Sequence, residues 1–154
     1  MSHDVYTLPE GLPVPTDDGA AAHLIGLELP DLVLESSSGP VSLRELDVIY
    51  VYPRSGRPGE PMLPGWDETP GARGCTPQSC AFRDLHGELA KLGVRVAGLS
   101  VQSLDDQREF AERNTGLNKH CTLVAEDARI VKVFYPVFPP DANAGAVLRW
   151  LQNR

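Results

Sequence analysis

Apolar and polar positions along the chain fall into short blocks whose period changes at Gly and Pro clusters. Residues 27–43, LELPDLVLESSSGPVSL, alternate around a Ser/Gly/Pro turn and predict a small hairpin. VIYVY, residues 48–52, is a continuous β-rich apolar run, as expected of a central parallel strand covered on both faces. Beyond a Pro/Gly-rich stretch, Phe82, Leu85, Leu89 and Leu92 recur at i, i+3, i+7 and i+10, the stripe of one amphipathic helix. Pro77 suits the first turn of that helix, and Gly93 its C′ position.

VRVAGLSV, residues 94–101, predicts the next strand. Ser103, followed by Asp105, Asp106 and Glu109, predicts an N-cap and acidic first turn of a helix reaching about Asn114, ended by Gly116. CTLVA and RIVKVFYP flank the turn-like EDA and predict a second hairpin. Residues 142–151, with Val147, Trp150 and Leu151 on one stripe, predict a closing helix. The expected order is hairpin, then β-α-β-α-β-β-α, which is the thioredoxin connectivity. Residues 1–25 mix Pro, Gly, Asp and Ala without a period and read as a loose or partly ordered arm; residues 26–154 then form one α/β domain.

Composition narrows the function classes. The chain has 154 residues, enough for one domain with its own core. At 42% hydrophobic and 23% charged it is ordinary globular material. A formal charge of −7 argues against nucleic acid or an anionic membrane as partner. No apolar run approaches the roughly 18 residues of a membrane span. MSHDVYTLPEGLPVP shows neither a basic nor an apolar leader region, so a cytoplasmic protein with reduced cysteines is expected.

The candidate chemistry lies in PGARGCTPQSCAFRDLHGELAKL, residues 70–92. Cys75 stands where a Gly-rich loop runs into the helical pattern, at the carboxyl end of the first core strand's connection. Unpaired amides and the positive end of the helix dipole favour a thiolate there, and Arg73 and Arg83 add positive charge. Cys75 is therefore expected to be an ionised, solvent-reachable nucleophile. Cys80 lies deeper in the helix and keeps a higher pKa. Five residues along a helix rise about 7.5 Å and turn about 140°. A disulfide needs Cα atoms closer than roughly 7 Å with converging Cβ vectors, so the first turn must unwind before Cys80 can meet Cys75. A thiolate that attacks a peroxide becomes a sulfenic acid, which a second thiol condenses to a disulfide and a reductant resets.

Other readings of these residues are plainer. Any cysteine can be a small buried hydrophobe, and Cys121, in an apolar strand pattern, is expected to be core. A zinc set of Cys75, Cys80, His86 and Cys121 lacks a repeated close ligand pair. His3 and His23 fall in the arm, and the acidic residues 105–112 suit a solvated helix face.

GCTPQSCAFRDLHGELAKLGVRVAGLSV resembles the active-site helix and following strand of the peroxiredoxins, closest to the peroxiredoxin-Q group, also called bacterioferritin comigratory proteins. LPDLVLESSSGPVSLREL and IVKVFYPVFPPDANAGAVLRWL resemble that family's opening and closing segments, so the likeness covers about residues 26–151. It implies a thioredoxin-like fold with an N-terminal hairpin and a central mixed sheet flanked by helices. It implies Cys75 as peroxidatic and Cys80 as resolving cysteine, no metal or organic cofactor, and a thioredoxin-like or other thiol reductant. A monomer or a homodimer is compatible with it.

Three departures stand out. The Thr or Ser usual three residues before the peroxidatic cysteine is Ala72, and Thr69 and Thr76 are out of register. The loop of residues 53–74 is longer than the family's, with five prolines and five glycines, and it holds Trp66. A strand and a helix are missing before CTLVAED, so the domain is reduced relative to full peroxiredoxins. The family's Arg has no counterpart there: that neighbourhood reads Lys119-His120. The candidates for holding peroxide are therefore Arg73, Thr76, Arg83 and His120, with Lys119 beside them. Three functions follow: a thiol peroxidase; a redox-sensing or binding module with weak peroxidase activity; and a thioredoxin-type thiol–disulfide oxidoreductase. C-x4-C spacing, and no proline between Pro77 and Pro136 to face the cysteines, count against the last.

Overall fold

The computed structural model describes residues 6–54, 61, 63–101 and 120–154. Strands β1 (Val33–Ser36) and β2 (Gly39–Ser42) form the expected antiparallel hairpin, with Val33 opposite Ser42 and Ser36 opposite Gly39. The Ser36 hydroxyl donates to the Gly39 carbonyl at 2.6 Å and ties its turn.

The main sheet has the order β4-β3-β5-β6, built from β3 (Val48–Val51), β4 (Val96–Leu99), β5 (Cys121–Glu126) and β6 (Arg129–Phe134). β3 pairs in parallel with β4 and antiparallel with β5, and β5 pairs antiparallel with β6. Parallel neighbours need a crossover, which the helices α1 (Cys75–Asp84) and α2 (His86–Lys91) provide. The chain closes with α3 (Asn143–Gln152), entered through a 3-10 turn at Pro140–Ala142. This is the thioredoxin-like architecture, a mixed sheet with helices packed on it.

The single helix predicted through Leu92 is in fact two. Leu85 leaves helical geometry at ψ 4°, although its amide still donates to Ala81 and the Leu89 amide to Leu85. Phe82 and Leu89 keep the buried stripe, while Leu92 is exposed because the chain turns away at Gly93, which has a φ of 72°. The helix expected from Ser103 to Asn114, Gly116, Lys119 and His3 lie outside the described residues.

Strand alternation divides the core. Val48 and Val124 point to the helical face and pack with Phe82, Leu89, Ala144 and Val147. Ile49 and Ala125 point the other way and pack with Leu29, Leu43, Leu46 and Ile130. Described helices thus cover one face, and segments flanking the hairpin cover the other. Along the described part of the arm Ala21 is buried, and the Tyr135 hydroxyl donates to Asp18 at 2.8 Å. Among the described residues no helix is long and apolar enough to cross a membrane.

Candidate active site

Gly74 is the N-cap of α1, with a φ of 107° that side chains rarely adopt. It turns the loop into the helix and sets Cys75 at the first helical position. β3 ends just short of Arg54, whose backbone amide donates to Cys75 Sγ at 3.3 Å. β5 begins just after His120, and its Nε2 lies 3.4 Å from the same sulfur. By strand alternation His120, Thr122 and Val124 share one face, the face of α1 and α3.

The expectation of a solvent-reachable thiolate is corrected here. Cys75 is 3% exposed. Burial pushes its thiol up to about 12, against downward pulls from the Arg54 amide, its own amide and the Arg73 charge. A rise of that size corresponds to about 4 kcal/mol against the lone thiolate. The helix terminus contributes only about 0.3–1 kcal/mol the other way, so desolvation wins. Burial therefore favours the neutral thiol over a lone thiolate in the reduced chain.

What surrounds the thiol is a polar chain that side-chain spacing alone did not single out. His120 is 3% exposed, and its Nδ1 is 2.9 Å from Gln78 Oε1. An amide oxygen only accepts, so the ring proton is on Nδ1 and Nε2 carries a bare lone pair toward the sulfur. The Gln78 amide nitrogen donates to Asn143 Oδ1 at 3.2 Å, and the Thr122 hydroxyl donates to the same oxygen at 2.6 Å. Gln78 and Thr122 are 0% exposed and Asn143 6%. Burial lowers the His120 pKa to about 4, while the Ala72 carbonyl pulls it upward by accepting from the protonated ring.

The other candidates separate. Arg73 is buried beside the site and is held by Asp67 at 2.8 Å. Thr76 buries its hydroxyl with no hydrogen-bond partner among the described residues. Arg83 does not reach the site: it is exposed in the last turn of α1 and pairs with Asp84 at 3.0 Å. Cys80 is half-buried in the same unbroken α1 as Cys75, and both thiols are free. Cys121 is half-buried in β5 on the opposite face of the sheet, its thiol raised to about 11 by burial. His86 is exposed at the start of α2.

A cavity of about 540 Å³ reaches the thiol's neighbours Ala72 and His120, which line it together with residues that include Pro15, Leu63, Trp66 and Val137; Cys75 itself is not in its wall. Trp66 is 6% exposed, and its indole N–H has no partner among the described residues. Part of the long loop is therefore packed as an apolar wall, closed by turn bonds from the Trp66 amide to the Leu63 carbonyl and from the Ala72 amide to the Thr69 carbonyl.

The family model described as AhpC/TSA family matches residues 67–143, half of the chain. Peroxiredoxin Q, chloroplastic, of Sedum lineare is 36% identical over 89 residues, 54% of this chain and 40% of that protein. Peroxiredoxin Bcp of Bacillus subtilis is 29% identical over 126 residues, 79% of this chain and 69% of that protein. The match to peroxiredoxin Q of Arabidopsis thaliana likewise spans only 36% of that protein's length. Among solved structures, a Xanthomonas campestris peroxiredoxin Q aligns with a TM-score of 0.58 and 25% identity, covering 83% of this chain and 96% of that one. Fold, helix-borne cysteine pair and matched segment converge, and the chain belongs to the AhpC/TSA family.

Proposed function

We propose that the chain is a thiol peroxidase. Cys75 attacks hydrogen peroxide or an organic hydroperoxide and is left as a sulfenic acid. Cys80 condenses with it to an intramolecular disulfide, and an external thiol reductant, thioredoxin-like or other, reopens the bridge. The observation that carries this reading is a free thiol at the first position of α1, beside an apolar cavity, with a second free thiol in the same helix. Family membership supports it. Arg73 and the Arg54 amide supply positive field at the attacking sulfur.

One equivalent of hydrogen peroxide added to the reduced protein and followed by stopped flow tests it. Fast oxidation with a mass-mapped Cys75–Cys80 bridge, absent from Cys75→Ser and Cys80→Ser, is expected. Full turnover by Cys75→Ser would remove Cys75 from the role.

The burial of Cys75 favours a second reading, a redox-sensing module with weak peroxidase activity. It requires bridge formation no faster than oxidation of a free thiol. A thioredoxin-type oxidoreductase is disfavoured, because the residue facing Cys75 just before β5 is His120 and not a proline.

A further inference from the structure

The geometry points to His120 as the proton carrier of the reaction, set in place by Gln78 and Asn143. The inference rests on the peroxidase reading and goes beyond it by supplying the base that a buried neutral thiol needs.

Nε2, the unprotonated ring nitrogen, is 3.4 Å from Cys75 Sγ. Only the S–H bond need turn, from the Ala72 carbonyl at 3.9 Å to Nε2, for the thiol proton to cross. Alone, a thiolate or an imidazolium is disfavoured in so dry a place. Formed together by one proton shift, the two charges sit side by side and offset each other's desolvation. Each charge also has a waiting partner: the Arg54 amide for sulfur, and the Ala72 carbonyl for the protonated ring. Gln78 fixes the tautomer, Asn143 orients Gln78, and Thr122 orients Asn143, so the lone pair cannot turn away.

The step balances. His120 takes the Sγ proton. The thiolate attacks the terminal oxygen of ROOH, forming S–O as O–O breaks, so sulfur loses two electrons and the peroxide gains them. The leaving alkoxide takes the proton back from His120, giving ROH and Cys75 sulfenic acid. His120 also lines the cavity, where the leaving oxygen would emerge. Gln78 is a positioning residue and His120 the catalytic one.

The ionisable groups around the pair are Arg73 with Asp67 on the preceding loop, Arg54 and Tyr52 beyond β3, and Asp18 and Tyr135 across the cavity. Internal transfer needs no net proton loss to solvent. The rate constant for Cys75 oxidation by hydrogen peroxide is therefore expected to be flat from about pH 5 to 9. His120→Ala should lower it about 100-fold at pH 7 and make it rise about tenfold per pH unit. Imidazole, entering through the cavity, should restore part of the loss. Gln78→Met, which removes the acceptor for Nδ1–H, should lower the plateau about tenfold.

A folded His120→Ala that keeps the wild-type rate and flat profile overturns the inference. So does a loss that imidazole does not restore and that leaves the profile flat. If His120→Ala does not fold, Gln78→Met decides: an unchanged plateau overturns the inference. Iodoacetamide alkylation of Cys75 separates the two readings. A wild type that alkylates with the flat, His120-dependent profile but reacts with peroxide no faster than a free thiol refutes the peroxidase and leaves the proton carrier standing.

Discussion

Gly74 and Pro140 touch so closely that a Cβ on the glycine would fall 2.4 Å from the proline Cγ and 2.7 Å from its Cβ. The contact locks the start of α1 to the turn that launches α3, which is how Gln78 meets Asn143. Gly74→Ala would have to open that contact and hold a φ of 107° as well. A loss of about 2–4 kcal/mol is expected in urea unfolding, with lower peroxidase activity.

Burial of neutral His120 makes stability depend on pH. The ring titrates at about 4 in the folded chain, against an ordinary 6.5 when unfolded. Between those values the unfolded chain binds the extra proton, so stability falls as pH drops from 6.5 toward 4. The loss totals about 3 kcal/mol. Urea midpoints across pH 4–7 should fall on acidification, and His120→Gln should flatten the curve. Cys75 acts at the other end: its thiol stays protonated to about 12 when folded, so stability also declines above pH 9.

Asn143 takes two hydrogen bonds on one buried oxygen, from Gln78 and Thr122. Asn143→Leu would strand both donors, each costing about 1–3 kcal/mol. Asn143→Asp keeps the acceptor and should cost less. Urea unfolding of the two variants should rank them in that order; equal losses would mean that the donors find other partners.

Trp66 should report on the cavity. An apolar wall suits a hydroperoxide with a hydrocarbon tail, so cumene hydroperoxide should be reduced with a kcat/KM about tenfold above that of hydrogen peroxide, about 1.4 kcal/mol of extra binding. In a Trp150→Phe background, its unreactive alcohol should change Trp66 fluorescence saturably, and Leu63→Asp should weaken that response.

The strands, the hairpin and the Gly74–Cys75 helix start were legible because period and turn chemistry are local. Gln78 was within reach too, since it stands three residues after Cys75 on the same helix face. His120 was placed near the peroxide only through the family likeness; its meeting with Cys75 could not be read from spacing, because it spans 45 residues and depends on β5 entering antiparallel beside β3. Arg54 acts through its backbone, which side-chain reasoning passes over. The burial of Cys75 comes from aperiodic turns in the loop and arm, so a helix-terminus argument pictured it in water. Arg83 was misplaced for a simpler reason: eight residues of helix carry it about 12 Å from Cys75.

Cys75, Gln78 and Cys80 ride on one stretch of α1. Bringing the two sulfurs together must uncoil the segment that holds Gln78 against His120. Oxidation would thus disarm its own activating device, and the chain would stay inert toward a second oxidant molecule until a reductant lets the coil rewind. Sulfur 75 would be shielded from over-oxidation by the same motion that completes each cycle.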